Sequence, residues 1–251
     1  MRIKLFLKGV KYFVLNPRYT MLYFLGKPET VVKNLTGEPI SRFFELRENL
    51  ESDLNFINEL QKRTSTFAHE SFRLNLDHYF LYAIVRLMRP ELILETGVFD
   101  GYYTVLFLKA LHDNYKNESI DGRLVSIDLP AYESIAKSTS KMHRTHLPEG
   151  CGPGWVIPEN LRTRWELNLG DSRELLPIIA KQVKNISMFF HDSLHTYSHM
   201  TFEYETVWPL LKKGGILMSH DIHWNRAFGN FVQRHRQKEF VARGFGTVKK
   251  R

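Results

Sequence analysis

Short apolar runs alternate with helical segments from Leu81 onward. Five of these runs have the length and composition of buried strands, and they cover residues 93–98, 123–129, 165–169, 186–190 and 215–219. Helical sequence lies over residues 101–112, after the second run, and over residues 172–182 and 197–211. Such alternation predicts a mostly parallel sheet with helices on both faces, joined by right-handed crossovers. We therefore expect an α/β fold of the Rossmann-like, doubly wound type.

The first quarter of the chain has a different pattern. Residues 1–65 lack alternating strand patterns, and apolar residues recur at helical spacing in Phe43, Phe44, Leu46, Leu50, Leu54 and Ile57. A chain of 251 residues has the length of one large domain with an appendage. We expect a helical, basic segment over residues 1–65 and a ligand-binding domain over residues 66–251.

Positive charge is concentrated at the two ends of the sequence. The net charge of +8 divides into +5 for residues 1–30, +7 for residues 226–251 and −4 for the middle. A basic, aromatic N-terminal segment is suited to an anionic membrane surface or to nucleic acid. The plainer interpretation is a solvated helix face at one end and a ragged tail at the other.

Cysteine content and the apolar runs bear on the compartment. Cys151 is the only cysteine, which excludes an internal disulfide framework and suits a reducing compartment. No apolar run approaches the roughly 20 residues that span a bilayer. Lys4, Lys8 and Lys11 interrupt the apolar N-terminal stretch, so we interpret it as uncleaved. We expect a cytoplasmic protein with peripheral membrane contact through this segment. Assembly into a homo-oligomer is an open alternative.

Every predicted strand carries an acid at or near its carboxyl end. These acids are Glu95, Asp128, Asp171, Asp192 and Asp221. In open α/β sheets ligands bind beyond the carboxyl ends of the strands. One such carboxylate is ordinary, because aspartate is common in turns and helix caps. Five on one edge indicate a binding site.

The turn after the first strand discriminates between cofactors. A dinucleotide fold requires G-x-G-x-x-G, but in this turn Phe99 stands where the middle glycine would be, between Gly97 and Gly101. Glu95 and Asp100 would repel a pyrophosphate and favour the cationic sulfonium of S-adenosylmethionine. The alternative is that the two glycines only allow close packing of helix and strand.

Further residues complete the expected cofactor site. Asp128 is placed to accept hydrogen bonds from ribose hydroxyls, and Asp171 and Ser172 to meet the adenine. The connection CGPGWVIP around Trp155 is rich in glycine and proline, so we expect it to form part of a lid or cofactor wall.

Five segments carry a resemblance to a known family. ETGVFDGYYT, VSIDLP, GDSRELLP, FFHDSLHTY and LLKKGGILMSHDI resemble, in order and spacing, the motifs of class I S-adenosylmethionine-dependent methyltransferases. GWVIPENLRTRWELNLGDSRELLP and the DxxH motif resemble more closely the branch of macrolide-sugar O-methyltransferases and cephalosporin-hydroxylase-like proteins. The resemblance covers about residues 66–250. It implies S-adenosylmethionine bound by the first turn with Thr104, and a hydroxyl acceptor on a sugar or glycan-like small molecule.

The same resemblance implies roles for the polar residues after the fourth and fifth strands. Asp192 and Asp221 match ligands of a divalent metal such as Mg²⁺, and His195 matches the general base. The sequence departs from the sugar enzymes at His220, where they have an acidic residue. His191 is expected to point to the opposite face from Asp192, and His199 to take no part.

The chemistry supports these roles independently of the family. Methyl transfer to an alcohol requires an aligned oxygen that loses its proton. A carboxylate-bound divalent ion orients and activates such an oxygen, and imidazole has a pKa suited to accepting the proton.

Three other functions stay open from the sequence. A non-haem iron oxygenase would draw two histidines and a carboxylate from His191, Asp192, His195, His220 and His223. A non-catalytic module would use its basic ends on a membrane or nucleic acid. RNA methylation is disfavoured because the basic residues lie at the termini and no RNA-binding motif is present, so we expect no nucleic-acid partner.

Overall fold

The computed structural model describes residues 16–65, 72–130, 147–183 and 185–251. Their strands form one seven-stranded sheet in the order β3-β2-β1-β4-β5-β7-β6. The strands are β1 (Leu92–Thr96), β2 (Arg123–Asp128), β3 (Trp165–Leu169), β4 (Ile186–His191), β5 (Leu211–Ser219), β6 (Glu239–Ala242) and β7 (Phe245–Lys249). Strands β1 to β5 are mutually parallel, whereas β7 is antiparallel to β5 and β6 is antiparallel to β7.

Helices cover both faces of this sheet. The described helices are α1 (Pro17–Leu25), α2 (Pro28–Thr36), α3 (Ile40–Ser52), α4 (Leu54–Ser65), α5 (Leu76–Met88), α6 (Thr104–Glu118), α7 (Glu159–Arg162), α8 (Ser172–Gln182), α9 (Tyr197–Val207) and α10 (Ala227–Arg234), with a 3₁₀ turn at Trp208–Leu210. Side chains from α2 to α6 join one core, and side chains from α1 and α8 to α10 join the other. The expected doubly wound α/β fold is confirmed.

The central strands are apolar because both of their faces are covered. All residues of β1 and β4 are buried. In β4, Met188 and Phe190 belong to one core and Phe189 to the other, as the alternation of side chains in a strand requires. Continuous apolar runs of this kind are typical of parallel sheets that are buried on both sides.

The N-terminal helices share a core with the sheet. Phe43, Leu46 and Leu50 of α3 are buried in the same cluster as Ile93 of β1. Leu54, which we placed on the same helical face, is 63% exposed, because α3 ends at Ser52 and a new helix begins at Leu54. The division into residues 1–65 and 66–251 stays a prediction.

Several boundaries differ from the sequence-based expectation. The helix expected over 197–211 ends at Val207, and β5 begins at Leu211 instead of residue 215. Strands β6 and β7 replace the ragged tail, because the tail's short apolar stretches pair with each other and with β5. The helix expected after β2 falls largely on residues 131–146, which lie outside the described residues, as do the lysines of residues 1–15. No helix among the described residues is long and apolar enough to cross a membrane.

Candidate active site

The carboxyl ends of the central strands meet where the chain reverses its order in the sheet. β1 lies between β2 and β4, so the switch point is at Thr96 and His191, which are paired in register. The amide of Asp192 donates to the carbonyl of Thr96 at 2.8 Å, and the amide of His220 donates to the carbonyl of His191 at 3.0 Å. A crevice at this position is where α/β sheets bind their ligands.

The turn after β1 is pressed against the loop after β4. Gly97 has φ +86°, and a Cβ atom there would lie 2.3 Å from the carbonyl oxygen of Asp192. Gly101 has φ +94°, and its Cβ would lie 2.8 Å from Cα of Gly154. Only glycine combines this backbone conformation with such close approach. The glycines thus set the distance between the turn and two neighbouring loops.

Asp128 fixes the conformation of this turn. Its Oδ2 accepts hydrogen bonds from the amides of Val98 at 2.9 Å and Phe99 at 2.6 Å, and its Oδ1 accepts from the amide of Leu129 at 2.8 Å. Phe99 takes a left-handed conformation with φ +51°. These three hydrogen bonds hold the turn against the end of β2, and contact of Asp128 with ribose hydroxyls stays a prediction.

The connection around Trp155 closes over the other side of the turn. The indole Nε1 of Trp155 donates to Oδ1 of Asp100 at 2.6 Å, and the amide of Gly154 donates to the carbonyl of Phe99 at 2.7 Å. The connection that we expected to be a lid or cofactor wall therefore lies directly on the turn.

Glu95 and Thr104 face the interior instead of the crevice. Glu95 is fully buried, and it accepts hydrogen bonds from Oγ1 of Thr104 at 3.0 and 3.1 Å and from Oγ of Ser126 at 2.6 Å. Burial raises the pKa of Glu95 to about 8 despite those hydrogen bonds. Burial thus favours the protonated form of Glu95. Both side chains support the turn from beneath, and their contact with a cofactor stays a prediction.

The two residues after β3 that we placed at the adenine, Asp171 and Ser172, have different environments. Asp171 is exposed, and its Oδ1 caps α8 by accepting from the amide of Arg173 at 2.8 Å. Ser172 is buried, and its hydroxyl donates to Glu203 at 2.6 Å. The Ser172 hydroxyl is thus engaged inside the protein, whereas Asp171 is at the surface; contact of either residue with the adenine stays a prediction.

A buried carboxylate that the sequence interpretation missed lies under the switch point. Glu203 of α9 bonds to His191 Nδ1 at 2.6 Å and to His199 Nε2 at 2.9 Å. Burial raises the pKa of Glu203, but the charge of His191 and the hydrogen bonds of both imidazoles outweigh burial and hold that pKa well below the usual range. His191 does point away from Asp192, as expected. The buried spacing of Met200, Glu203, Tyr204 and Val207 along α9 is a sequence signal for the position of Glu203.

Asp192 is the centre of a second polar cluster, whose side chains are partly exposed. Its Oδ1 lies 2.9 Å from Nδ1 of His220 and 3.5 Å from Nε2 of His195. Thr196, and not His195, caps α9, because its side chain accepts the amide hydrogen of His199. The ligand atoms of Asp192, His195 and His220 all lie within 4.8 Å of one another. This is the group among the described residues with metal-ligand spacing.

His220 lies between the two aspartates that were expected to share a metal ion. Its Nε2 is 3.8 Å from Oδ1 of Asp221, opposite the Nδ1 that contacts Asp192. Burial lowers the pKa of His220, but the carboxylates of Asp221 and Asp192 outweigh burial and raise it to about 9. Burial also raises the pKa of Asp221 to about 6. Adjacency of β4 and β5 is confirmed, yet an imidazole occupies the space between Asp192 and Asp221.

Aromatic rings border this cluster, and one of them comes from the N-terminal helices. The ring of Trp224 lies 5.0 Å from that of His195, and the ring of Tyr23 in α1 lies 5.0 Å from that of His223. Tyr103 of the first turn lies 5.4 Å from His220. The arrangement offers a polar centre with an apolar rim, suited to binding a small organic molecule.

Comparison with known proteins identifies the domain. Residues 94–222, just over half of the chain, match the model of a family described as methyltransferase domain. Among curated proteins, none has a sequence that significantly matches this chain.

Solved structures with the same fold include three methyltransferases. The O-methyltransferase TomG from Streptomyces achromogenes, solved with SAM, is 16% identical, with 79% of this chain and 91% of that chain covered and a TM-score of 0.51. The SAH-bound methyltransferase PaMTH1 from Podospora anserina is 15% identical, with 78% and 88% covered and a TM-score of 0.52. CalS11, a TDP-rhamnose 3'-O-methyltransferase of calicheamicin biosynthesis, is 16% identical, with 83% and 93% covered and a TM-score of 0.52. These likenesses show a shared fold.

Proposed function

The chain belongs to the S-adenosylmethionine-dependent methyltransferases through the methyltransferase domain of residues 94–222, and we propose that it methylates a hydroxyl of a sugar or glycan-like small molecule. Support for oxygen as the acceptor atom comes from the polar cluster of Asp192 and His195. Support for a sugar comes from the resemblance of the motifs and from the fold shared with CalS11.

One contact carries the proposal. Gly97 lies in the turn after β1, here called the cofactor turn, and it touches the backbone of Asp192. The cofactor turn therefore packs directly against residues 192–195, here called the DSLH loop. A methyl donor held by the turn would therefore lie beside His195. Methyl transfer requires this proximity, because the acceptor oxygen attacks the methyl carbon from the side opposite the sulfur.

The proposed reaction is a single displacement. The acceptor oxygen forms a bond to the methyl carbon as the carbon–sulfur bond breaks, and the sulfur keeps that electron pair and becomes neutral. The hydroxyl proton goes to Nε2 of His195. Asp192, whose Oδ1 lies 3.5 Å from this nitrogen, stabilises the imidazolium that forms. The acceptor loses its proton and gains a methyl group, so charge balances.

The turn and its neighbours are proposed to hold the cofactor. Gly97 and Gly101 provide close backbone approach, Asp128 is placed for the ribose hydroxyls, and Asp171 borders the adenine end. Trp155 is held over the turn through Asp100, so it forms a wall against the bound molecule.

A divalent ion is a separate proposal, and its donor set departs from that of Mg²⁺. Mg²⁺ prefers oxygen ligands in octahedral geometry. Here the residues brought together are two imidazoles and one carboxylate, namely His195, His220 and Asp192. Such a set suits Mn²⁺, Fe²⁺ or Zn²⁺, and Asp221 would hold an ion only if His220 moved. A bound ion would polarise the acceptor oxygen, and it would also compete with the proton for His195.

The same donor set is the observation that favours the iron-enzyme alternative. Two histidines and one carboxylate are the ligands of non-haem iron oxygenases. Membership of the methyltransferase family argues against that reaction. Oxidation of an acceptor with Fe²⁺ in the absence of S-adenosylmethionine would decide for it.

Contact with a membrane surface is also a proposal, and it rests on α1. Met21, Phe24 and Leu25 of this helix are 50%, 76% and 66% exposed, and they follow the basic sequence of residues 1–15. Exposed apolar side chains beside basic residues are typical of segments that lie on anionic membranes.

Release of S-adenosylhomocysteine tests the proposed function. Purified protein is incubated with S-adenosylmethionine and a TDP-linked sugar or free glycoside, with calorimetry of S-adenosylmethionine and of NAD as binding measurements. We expect the protein to bind S-adenosylmethionine and not NAD. His195→Ala should keep the cofactor affinity and lose turnover by about 100- to 10,000-fold. The control is His112→Ala, on the far half of α6, which should behave as the wild type. Full turnover of His195→Ala with rate-limiting chemistry would contradict the assigned base.

Titration with Mn²⁺ and with Mg²⁺ separates a ligand from a base. If His195 binds an ion, His195→Ala loses Mn²⁺ affinity as well as turnover, and chelators abolish the activity of the wild type. If His195 is a base alone, turnover resists chelators and neither ion binds.

A further inference from the structure

Glu203 accepts hydrogen bonds from five side chains. Its Oε2 bonds to Oγ1 of Thr96 and to Nδ1 of His191, both at 2.6 Å. Its Oε1 bonds to the hydroxyls of Ser172 at 2.6 Å and Ser193 at 2.9 Å, and to Nε2 of His199 at 2.9 Å. A carboxylate has about four lone-pair sites, so the acceptor capacity of Glu203 is filled.

These five side chains come from the ends of β1 and β4, from the start of α8, from the segment between β4 and α9, and from α9 itself. Thr96 is the last residue of β1 and precedes Gly97, whereas Ser172 begins α8 after the exposed Asp171. His191 ends β4, and Ser193 lies inside the DSLH motif between Asp192 and His195. The carboxylate is fully buried, so its two oxygens are reserved for these contacts.

The tautomer of one partner supports an accepting role for Glu203. Nε of Arg173 lies 3.3 Å from Nδ1 of His199 and donates to it. Because a neutral imidazole has one donor and one acceptor nitrogen, Nε2 of His199 then carries the hydrogen and donates to Glu203. Every hydrogen bond of this network can therefore point toward the carboxylate, which no neutral side chain of similar shape reproduces.

We propose that Glu203 is a positioning residue that holds the cofactor turn, the loop after β3 and the DSLH loop in one arrangement. The inference rests on the proposed function, since it assigns the turn to S-adenosylmethionine and the DSLH loop to proton transfer. Thr96 connects Glu203 to the turn, and Ser193 connects it to the loop that carries His195. These two connections, here called the Thr96 arm and the Ser193 arm, are separate. Loss of the first should therefore affect cofactor binding, and loss of the second should affect kcat.

Variants of the two arms distinguish positioning from plain stabilisation. Thr96→Val should weaken binding of S-adenosylmethionine by about 10-fold and leave the saturated kcat nearly unchanged, because it loosens the turn. Ser193→Ala should lower kcat by about 10-fold and leave cofactor affinity unchanged, because it loosens the DSLH loop. A network that only stabilises the fold would lower Tm in both variants without this split between affinity and kcat.

Substitution of Glu203 itself completes the experiment. Glu203→Gln keeps the shape but turns one acceptor into a donor, so we expect about 10- to 100-fold loss of kcat/KM together with weaker cofactor binding. Glu205→Gln on the same helix is the matched control, because Glu205 contacts Arg234 and His235 away from the site. A folded Glu203→Gln with wild-type affinity and kcat would overturn the proposal. If that variant does not fold, equal effects of Thr96→Val and Ser193→Ala on affinity and kcat overturn it. A wild type that neither binds S-adenosylmethionine nor releases S-adenosylhomocysteine would instead refute the proposed function.

Discussion

Substitution of Gly97 by alanine tests the contact between the cofactor turn and the DSLH loop. A Cβ atom at φ +86° costs about 1–2 kcal/mol because it approaches the carbonyl oxygen of its own residue. The same atom would lie 2.3 Å from the carbonyl oxygen and 2.5 Å from the carbonyl carbon of Asp192, so the backbone of β1 or β4 must shift. Overpacking of this kind costs about 1–3 kcal/mol. We expect the free energy of unfolding to fall by about 2–5 kcal/mol in total.

Gly37 provides the control for the cost of placing a side chain at a positive φ angle. It has φ +83°, and a Cβ atom there would meet nothing within 4 Å. Gly37→Ala should therefore lose only about 1–2 kcal/mol. Urea denaturation of both variants and of the wild type gives the two differences at constant m-value. Calorimetry should also show weaker S-adenosylmethionine binding for Gly97→Ala alone. Equal losses of stability in the two variants, with unchanged cofactor affinity, would refute the reasoning.

Three further predictions concern separate parts of the molecule. Asp128→Ala should weaken S-adenosylmethionine binding by about 1–3 kcal/mol, since it removes a charged acceptor from the turn; calorimetry of a folded variant with unchanged affinity would exclude Asp128 from the site. The folded pKa of Glu95 is raised to about 8 from a usual 4.5, so the protonated form is favoured by folding and its stabilisation should be lost as pH rises from 4.5 to 8. Urea denaturation across that range should show a shallower pH dependence for Glu95→Gln, and identical slopes would contradict this. Replacing Lys4, Lys8 and Lys11 by glutamine should abolish sedimentation with anionic vesicles and preserve cofactor binding, whereas undiminished sedimentation would remove the membrane proposal.

The parallel part of the fold could be predicted from the sequence because its strands are buried on both faces. Such strands are continuous apolar runs, and the run over 186–190 reproduces β4 to within one residue. The hairpin of β6 and β7 was not predicted, because its strands are short and lie in a basic region. These strands form because β7 pairs with β5, and the local sequence alone does not predict such long-range pairing.

The edge of the sheet at which the candidate site lies could be predicted, but the direction of several side chains could not. Acids at strand ends predict that edge, because the carboxyl ends of parallel strands lie together. Whether a residue near that edge faces the crevice or the core depends on the helix that covers it. Thr104 and Ser172 were assigned to the cofactor, yet their hydroxyls contact Glu95 and Glu203 inside the protein. The contact of His220 with Asp192 likewise depends on the register between β4 and β5.

The place of β1 between β2 and β4 has a consequence for the order of folding. β2 follows β1 along the chain after one helix, whereas β4 arrives only after two more crossovers. Contacts between distant segments form slowly, because a long loop must close first. A nascent intermediate with β1, β2 and β3 paired would already contain the glycine turn but lack its neighbour across the switch point. The amide of Asp192 donates to the carbonyl of Thr96. Protection of this amide from hydrogen exchange during folding would therefore mark the step at which the two halves of the candidate site come together.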